Sequence, residues 1–326
     1  MANIRIPASI YMIRRRVDRC KYMAKFLIKR ILSALLTLFI VATLTFFLMN
    51  MLPGGPFQNE KITEKMLNII NEKYGLNKPL FQQYLSYMGR LLRGDLGISY
   101  KRQGFTVNEI IAMKFPVSAR LGLVTMIWGL FSGILLGVAA AVNHNKIIDR
   151  IAMFLCTLGI AVPSFVIGTS LIYLFAINMG IFPFSGLATP LHYVLPVIAL
   201  SFQPMSYIAR LMRSNMLDAI DQDYIKTARA KGLSTFKTIF KHAMRNTIIP
   251  IITYLGPMTA GVLTGGFVTE RIFDIKGLGS YFVESIGNRD YPMIMGTTIF
   301  FAALIIAANL IVDILYHVVD PRIKVE

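Results

Sequence analysis

The residue types that carry out covalent or metal chemistry are few in this chain and stand far apart. Its four histidines and two cysteines fall in separate segments, and none belongs to a C-x-x-C or H-E-x-x-H pattern. The phosphate-binding pattern G-x-x-x-x-G-K-[ST] is absent as well. We therefore expect no catalytic residue, no metal site and no ATP bound by this chain itself.

The most informative polar segment is a basic run, residues 210–247, between two apolar stretches. Asp221 or Asp223 is a suitable N-cap for a short helix, and acidic side chains in its first turn suit the helix dipole. Gly232 is a natural end for that helix, because glycine readily adopts the left-handed conformation found there. The small residues Ala228, Ala230 and Gly232 would leave room for the close approach of another surface.

A second short helix is expected from Thr235 to about Arg245, with Ser234 as its cap. Its apolar residues recur at helical spacing and predict one apolar stripe: Phe236, Ile239, Phe240 and Ala243. A basic charge alone is typical of any cytoplasmic loop. The paired caps and the glycine turn instead indicate two short helices held at the membrane face.

The elements around this segment are apolar stretches long enough to cross a bilayer. The chain is 55% apolar and only 16% charged, whereas a soluble domain is about 25% charged. About 20 apolar residues cross roughly 30 Å of hydrocarbon as a helix. The predicted fold class is therefore an all-α membrane protein with about six transmembrane helices, namely Ile31–Leu52, Leu121–Val142, Ile151–Met179, Tyr193–Ala209, Thr247–Thr269 and Met293–Val319.

Residues inside the spans suggest where a pathway could run. Pro163, Pro196 and Pro204 predict kinks, and kinked spans suit the lining of a pathway better than lipid contact alone. Pro163 and the adjacent Ser164 are therefore candidate pathway residues. Asp313 is an ionisable group in the last span, which makes it a functional candidate. Its position near the end of that span favours a structural role.

The distribution of lysine and arginine predicts the orientation. These residues are frequent in segment 1–30 and in loop 210–247, whereas the short connection 180–192 has none. Cytoplasmic segments carry the excess of basic residues, so both termini are expected to be cytoplasmic in a multi-pass protein of the cell membrane. The net charge of +17 then reflects topology rather than nucleic-acid binding. The first span is expected to be a retained helix and not a cleaved signal peptide.

The remaining segments complete the predicted organisation. Segment 1–30 is basic, and its residues 10–29 are expected to lie along the cytoplasmic interface. Residues 53–120 are expected to be an external helical loop, 121–319 a transmembrane domain of five helices, and 320–326 a cytoplasmic tail. Two amphipathic helices are expected in the external loop, from the spacing of Ile62, Met66, Ile69 and Ile70 and of Phe81, Leu85, Met88 and Leu92. Their role is open between packing over the span ends and a functional role, which would be contact with a binding protein or shielding of an entry.

The basic loop resembles the EAA loop of the membrane subunits of ABC importers. Lys226-Thr-Ala-x-x-x-Gly232 occupies the frame E-A-A-x-x-x-G of that loop. Ala228 and Gly232 match the frame, whereas Lys226 replaces the acid and Thr227 the first alanine. These departures are typical of the peptide and nickel branch, in which T-A-R-A-K-G-L-S and H-A-x-R-N recur.

The resemblance extends over nearly the whole chain and points to the B-type permease subunit of oligopeptide or dipeptide importers. Its motifs are Leu52-Pro-Gly-Gly-Pro56, Gly75-Leu-Asn-Lys-Pro79, Arg93-Gly-Asp-Leu-Gly97, Val162-Pro-Ser-Phe165, Phe182-Pro-Phe-Ser-Gly186, Gly277-Leu-Gly279, Asn288-Arg-Asp-Tyr-Pro292 and Val319-Asp-Pro-Arg322. The resemblance implies the type I ABC importer permease fold.

The resemblance also implies how the transporter is powered. The helix around Tyr224 to Gly232 would be a coupling helix that docks on an ATPase subunit through Tyr224, Lys226, Thr227, Ala228, Arg229, Lys231 and Gly232. The implied partners are a homologous second permease of the C type, two ATP-binding subunits that use ATP and Mg, an extracytoplasmic peptide-binding protein and membrane lipid.

Four alternatives stay open at this level. A nickel importer shares the pattern, although His, Cys and acidic residues are scarce along the spans, which favours peptides. A dipeptide importer belongs to the same family. A stand-alone channel would need no docking loop, and an intramembrane enzyme would need paired catalytic residues within the spans.

Overall fold

A computed structural model describes residues 8–53, 55–57, 64–102 and 104–319. The chain divides into two compact units, residues 1–51 and 52–326. The first unit contains a single helix, α1, with bounds Ala8–Met51 and 44 residues. Helix α1 continues without a break through the predicted boundary between the basic segment and the first span.

Regular secondary structure in the described part of the second unit is helical, apart from one isolated bridge between Ile98 and Thr106. Its helices before the loop that is predicted to be cytoplasmic are α2 Glu64–Tyr74, α3 Leu80–Leu91, α4 Val107–Val142, α5 Ile147–Ala161, α6 Ser164–Leu171 with a π-helical continuation Ile172–Asn178, and α7 Leu191–Ile220. The helices that follow are α8 Asp223–Ala230, α9 Thr235–Lys237, a π-helical turn Thr238–Ala243, α10 Met244–Thr247, α11 Ile249–Ile272, α12 Leu278–Asn288 and α13 Tyr291–Val319.

The number of membrane-spanning helices agrees with the prediction. Within the described residues, five helices are long and apolar enough to cross a membrane, and a bent pair makes six when it counts as one span. Helix α4 begins at Val107, well before the predicted span start at Leu121, and has 36 residues. Its length of about 54 Å exceeds the roughly 30 Å of hydrocarbon, so α4 extends beyond the bilayer core.

The predicted kink at Pro163 is a complete break in the helix. The segments Ile147–Ala161 and Ser164–Asn178 meet at 109°. Val162 between them is extended, with φ −95° and ψ 125°, because proline disfavours the helical conformation of the residue before it. Pro196 and Pro204, by contrast, lie inside α7 without ending it.

Close packing of α4 on α7 forms the centre of the second unit. Gly133 and Gly137 of α4 face α7, and both leave no space for a side chain. A Cβ at Gly137 would lie 2.6 Å from the carbonyl oxygen of Ala209 and 2.6 Å from Cβ of Met212. Such small residues let helix backbones approach closely in membranes. The close contact keeps α7 in a fixed position, and α7 leads directly into the cytoplasmic loop.

Helices α2 and α3 lie in the loop that is predicted to be external, and the exposure of α3 bears on their role. Helices α2 and α3 confirm the two amphipathic helices, although Ile62 and the side chain of Met66 lie outside the described part. On α3, the large apolar residues Phe81 and Leu85 are exposed, as is Leu92 just beyond it, whereas Tyr87 is buried. Phe81, Leu85 and Leu92 are therefore not covered by this chain, and the role of the two helices stays a prediction.

Candidate functional site

The loop between α7 and α11, which is predicted to be cytoplasmic, begins later than the sequence indicates. Helix α7 continues to Ile220, so Arg210 and Arg213 lie on α7 and not in a loop. Helix α8 follows, and its N-cap is Gln222, which makes no side-chain capping bond. The predicted caps of this helix, Asp221 or Asp223, are thus wrong. Asp223 is instead the first residue of α8, where its charge suits the helix dipole.

Local hydrogen bonds hold α8 and end it where predicted. The Lys226 ammonium donates to the Asp223 carboxylate at 3.1 Å, and the Thr227 hydroxyl donates to the Asp223 carbonyl oxygen at 2.8 Å. Gly232 has φ +76°, and its N–H donates to the carbonyl oxygen of Arg229 at 2.9 Å. The left-handed glycine confirms the expected turn, because side chains at such a φ are strained.

The two faces of α8 differ, and this corrects one predicted docking residue. Ile225 is fully buried and Ala228 is 6% exposed, so both face the interior of the chain. Ala228 therefore does not contribute its side chain to an outer docking surface. The other predicted residues are exposed: Tyr224, Lys226, Thr227, Arg229, Lys231 and Gly232. The outer face of α8 is thus basic and accessible, and Ile225 anchors the inner face.

The second helix of the loop is less regular than predicted. It consists of α9, the π-helical turn and α10, and Ser234 Oγ accepts from the N–H of Lys237 at 3.4 Å, as a cap does. The predicted apolar stripe is split between two faces. Ile239 is buried, whereas Phe236 is 68% and Phe240 39% exposed, with ring centroids 4.5 Å apart. An aromatic pair therefore lies exposed in the same loop as the basic face of α8.

A cleft within the spans contains one of the predicted pathway residues. It lies between α6, α7 and α11, has a cavity volume of about 30 Å³, and is lined in part by Ser164, Gln203 and Tyr254. Pro163 is the N-cap of α6 beside it. Asp313 is half-buried in α13 and does not line the cleft. Gln203 also lines the cleft but was not predicted as a pathway residue, although a single amide side chain in an apolar run could have indicated it.

Two buried carboxylates position the span ends that are predicted to be external. Glu270, at the end of α11, accepts from the N–H of Ser280 at 3.0 Å, near the start of α12. Asp290 accepts from the Ser99 hydroxyl and from the N–H of Tyr100 at 3.0 Å, across nearly two hundred residues of chain. Such long-range pairs leave no local pattern in a sequence.

An aromatic cluster supports the external loop beside Asp290. The rings of Tyr74 and Tyr100 lie 4.6 Å apart, and Phe57 lies 5.5 Å from Tyr100. Burial in this cluster raises the pKa of the Tyr100 hydroxyl to about 12. The Lys101 ammonium also donates to the carbonyl oxygen of Pro56 at 2.9 Å. The loop is thereby fixed to the start of the second unit.

The family to which the chain belongs follows from comparison with known proteins. The family described as "Binding-protein-dependent transport system inner membrane component" matches residues 133–325. The family that describes the N-terminal region of such membrane components matches residues 23–122. The chain belongs to this family. It is therefore a multi-pass inner membrane component of a binding-protein-dependent transport system.

Individual relatives resemble this transport component over almost its whole length. It is 46% identical to the dipeptide transport system permease protein DppB of Bacillus subtilis, over 93% of this chain and 98% of that protein. It is 44% identical to the oligopeptide transport system permease protein OppB of Haemophilus influenzae, over 93% of this chain and 100% of that protein. The resemblance read from the sequence motifs is confirmed.

A solved structure shows the fold. The inward-facing MetNI methionine ABC transporter matches with a TM-score of 0.54 and 16% identity, over 65% of this chain and 96% of that chain. At this identity the match concerns the fold alone. The all-α fold of an ABC importer permease, expected from the sequence, is thereby confirmed for this transport component.

Proposed function

We propose that this chain is the membrane-spanning permease subunit of an ATP-driven oligopeptide importer and forms half of its translocation pathway. The proposal rests on the sequence identity of this chain, 46% and 44% over 93% of its length, to permeases that are named for dipeptides and oligopeptides. A dipeptide importer is the nearest alternative within the same class.

The outer face of α8 is the proposed ATPase-docking surface. Arg229 and Lys231 are exposed there, and the buried Ile225 fixes the helix to the rest of the chain. An exposed helix whose other side is packed into the chain can move as a rigid element. A displacement of the partner would then be passed through this helix to α7 and α11. The aromatic pair Phe236 and Phe240 adds an apolar contact to the same loop.

The complete transporter needs further subunits. A homologous second permease of the C type would supply the other half of the pathway, and two ATP-binding subunits would bind ATP and Mg and hydrolyse the ATP. An extracytoplasmic binding protein would deliver the peptide to the external face. Docking on an ATPase requires α8 to be cytoplasmic, and both chain termini then lie on the cytoplasmic side.

Co-purification tests the docking surface. Wild-type chain and its Arg229→Glu variant are each expressed with the second permease and the ATPase subunits. Arg229→Glu is expected to reduce ATPase recovery at least tenfold, because it reverses charge at the centre of the exposed face. The matched control is Arg150→Glu, an exposed arginine in the first turn of α5, which should leave recovery unchanged. Equal recovery with both variants would contradict the docking proposal.

Growth tests the substrate class. A strain that lacks its own peptide importers is supplied with the complete transporter and with defined tripeptides as the source of a required amino acid. Growth on peptides, together with no rescue under nickel limitation, is expected. Rescue by nickel without rescue by peptides would replace the peptide proposal with the nickel alternative.

A further inference from the structure

The cleft between α6, α7 and α11 has polar groups on an otherwise apolar wall. Gln203 of α7 is exposed in the cleft, and Ser164 of α6 and Tyr254 of α11 are half-buried. The ring of Tyr254 stacks on Tyr207 with centroids 4.2 Å apart and an angle of 23°. This stacking holds the Tyr254 hydroxyl in one place. The remaining lining is apolar, with Met258 among it.

These three polar side chains have no hydrogen-bond partner among the residues that the structure describes. A polar group that faces lipid without a partner costs several kcal/mol, because the hydrocarbon offers no hydrogen bonds. Polar groups within spans therefore face a protein partner or a water-filled cavity. Ser164, Gln203 and Tyr254 converge on one cleft from three different helices, which is the arrangement expected of a binding site.

The chemistry of the three groups matches a peptide main chain. The Gln203 amide both donates and accepts hydrogen bonds, and so do the hydroxyls of Ser164 and Tyr254. An extended peptide presents N–H donors and C=O acceptors in alternation. No charged residue lines the cleft, so the charge of a peptide's side chains would not be read there.

We propose that Ser164, Gln203 and Tyr254 form a site that binds the main-chain N–H and C=O groups of an extended peptide during its passage through the membrane. The proposal rests on the proposed function as a peptide permease. It explains how one pathway can accept peptides of varied sequence, since all peptides share the groups that these side chains bind.

Accessibility in the assembled transporter is the first test. Gln203→Cys and Tyr254→Cys are made in a background with Cys20→Ser and Cys156→Ala, and the complete transporter is labelled with a water-soluble thiol reagent. Both positions are expected to react, and trialanine delivered by the binding protein should slow the reaction at least fivefold. The control Tyr173→Cys, on the exposed side of the π-helical segment, should show no slowing. No reaction in any nucleotide state, or no protection by trialanine, would overturn the proposal.

Transport specificity is the second test. Gln203→Leu and Tyr254→Phe are expected to reduce tripeptide uptake about five- to tenfold each, the effect of one lost hydrogen bond. The reduction should be the same for trialanine, trilysine and triglutamate, because the lost contact is to the main chain. The controls Gln82→Leu in α3 and Tyr173→Phe should leave uptake unchanged. Full uptake by both variants, or a loss confined to one charge class, would overturn the main-chain site.

The proposed function and the proposed main-chain site can be disproved separately. If the wild-type transporter takes up no peptide, the proposed function fails. If the wild type takes up peptides and both the protection and the uptake changes are absent, only the main-chain site fails. Recovery of each variant with its partner subunits, measured by size-exclusion chromatography, shows that a loss of uptake does not come from lost assembly.

Discussion

The Arg213 guanidinium makes a two-pronged ion pair with Asp149, with Nε 2.5 Å from Oδ1 and Nη2 2.7 Å from Oδ2. The pair joins the first turn of α5 to α7, near the cytoplasmic loop. Asp149 is buried and also accepts from the N–H of Asn145 at 2.9 Å. Arg213 is thus committed within the chain and is not a free basic group for docking.

Removal of this ion pair should destabilise the permease. Asp149→Asn leaves the partly buried guanidinium of Arg213 without its counter-charge, so we expect a loss of about 3 kcal/mol in stability. Thermal unfolding of the purified protein in detergent measures the change. The control Asp218→Asn removes an exposed carboxylate from α7 and should have little effect.

Arg213→Lys refines the same prediction. Lysine keeps the charge but cannot form the two parallel hydrogen bonds of a guanidinium. The variant should therefore lie between wild type and Asp149→Asn in stability. Equal stability of all three proteins would show that the ion pair contributes nothing to the fold.

Gly137→Ala should weaken the packing of α4 on α7. Alanine favours a helix over glycine by about 1 kcal/mol, but here the added methyl would meet the backbone carbonyl of Ala209 at 2.6 Å. Backbone cannot move aside as a flexible side chain can, so overpacking should prevail with a net loss of about 1–3 kcal/mol. The measurement is thermal stability in detergent.

The control for that substitution is expected to have the opposite effect on stability. Gly89 in α3 has open space around it, so Gly89→Ala should be neutral or stabilising by up to about 1 kcal/mol. A loss of stability at Gly89 equal to that at Gly137 would contradict an explanation based on helix contact.

The sequence predicted features that depend on local patterns. The spans follow from the length of apolar runs, and the turn at Gly232 follows from glycine's conformational range. The sequence predicted only a kink at Pro163, whereas the two segments meet at 109°. The size of such a bend depends on what the two segments pack against. The inward orientation of Ala228 was not predictable either, since the motif fixes residue types and not which face of α8 is covered.

The remaining features depend on residues far apart in the chain. Asp149 meets Arg213 and Ser99 meets Asp290 only after the helices have packed, and neither member of a pair has a distinctive neighbourhood in sequence. Gln203 is recognised as a candidate site residue only in the structure, because α6 and α11 bring Ser164 and Tyr254 beside it. A single sequence contains no information on such pairings, whereas the packed helices display them directly.

Asp290→Asn should loosen the external loop from α13. The carboxylate accepts from the Ser99 hydroxyl and from the N–H groups of Tyr100 and Met293. An amide has one acceptor oxygen and no charge, so part of this set is lost, and we expect a cost of about 2 kcal/mol. Faster proteolysis within residues 92–106 would report the loosening. Asp274→Asn, at an exposed carboxylate paired with Lys276, should not change the rate.

Alkaline pH should destabilise the external loop through Tyr100. Burial raises the pKa of its hydroxyl from 10.0 to about 12, so the folded protein keeps a proton that the unfolded chain releases. The stabilisation is complete below pH 10 and is lost as the pH rises towards 12, at a cost of about 2 kcal/mol. Thermal stability measured from pH 9 to 12 should fall less steeply for Tyr100→Phe than for wild type. Parallel curves would contradict the assignment.

Gly232→Ala should impair coupling to the ATPase without disrupting the membrane helices. At φ +76° no neighbouring atom lies within 4 Å of an added Cβ, so the cost comes only from backbone strain, about 1 kcal/mol. Asparagine tolerates the left-handed region better than alanine, so Gly232→Asn should retain more peptide-stimulated ATPase activity in the assembled transporter. Gly89→Ala, at a glycine inside the external helix α3, should retain full activity. If Gly232→Ala and Gly232→Asn are equally impaired, the cause is contact with the ATPase surface rather than the conformation of the turn.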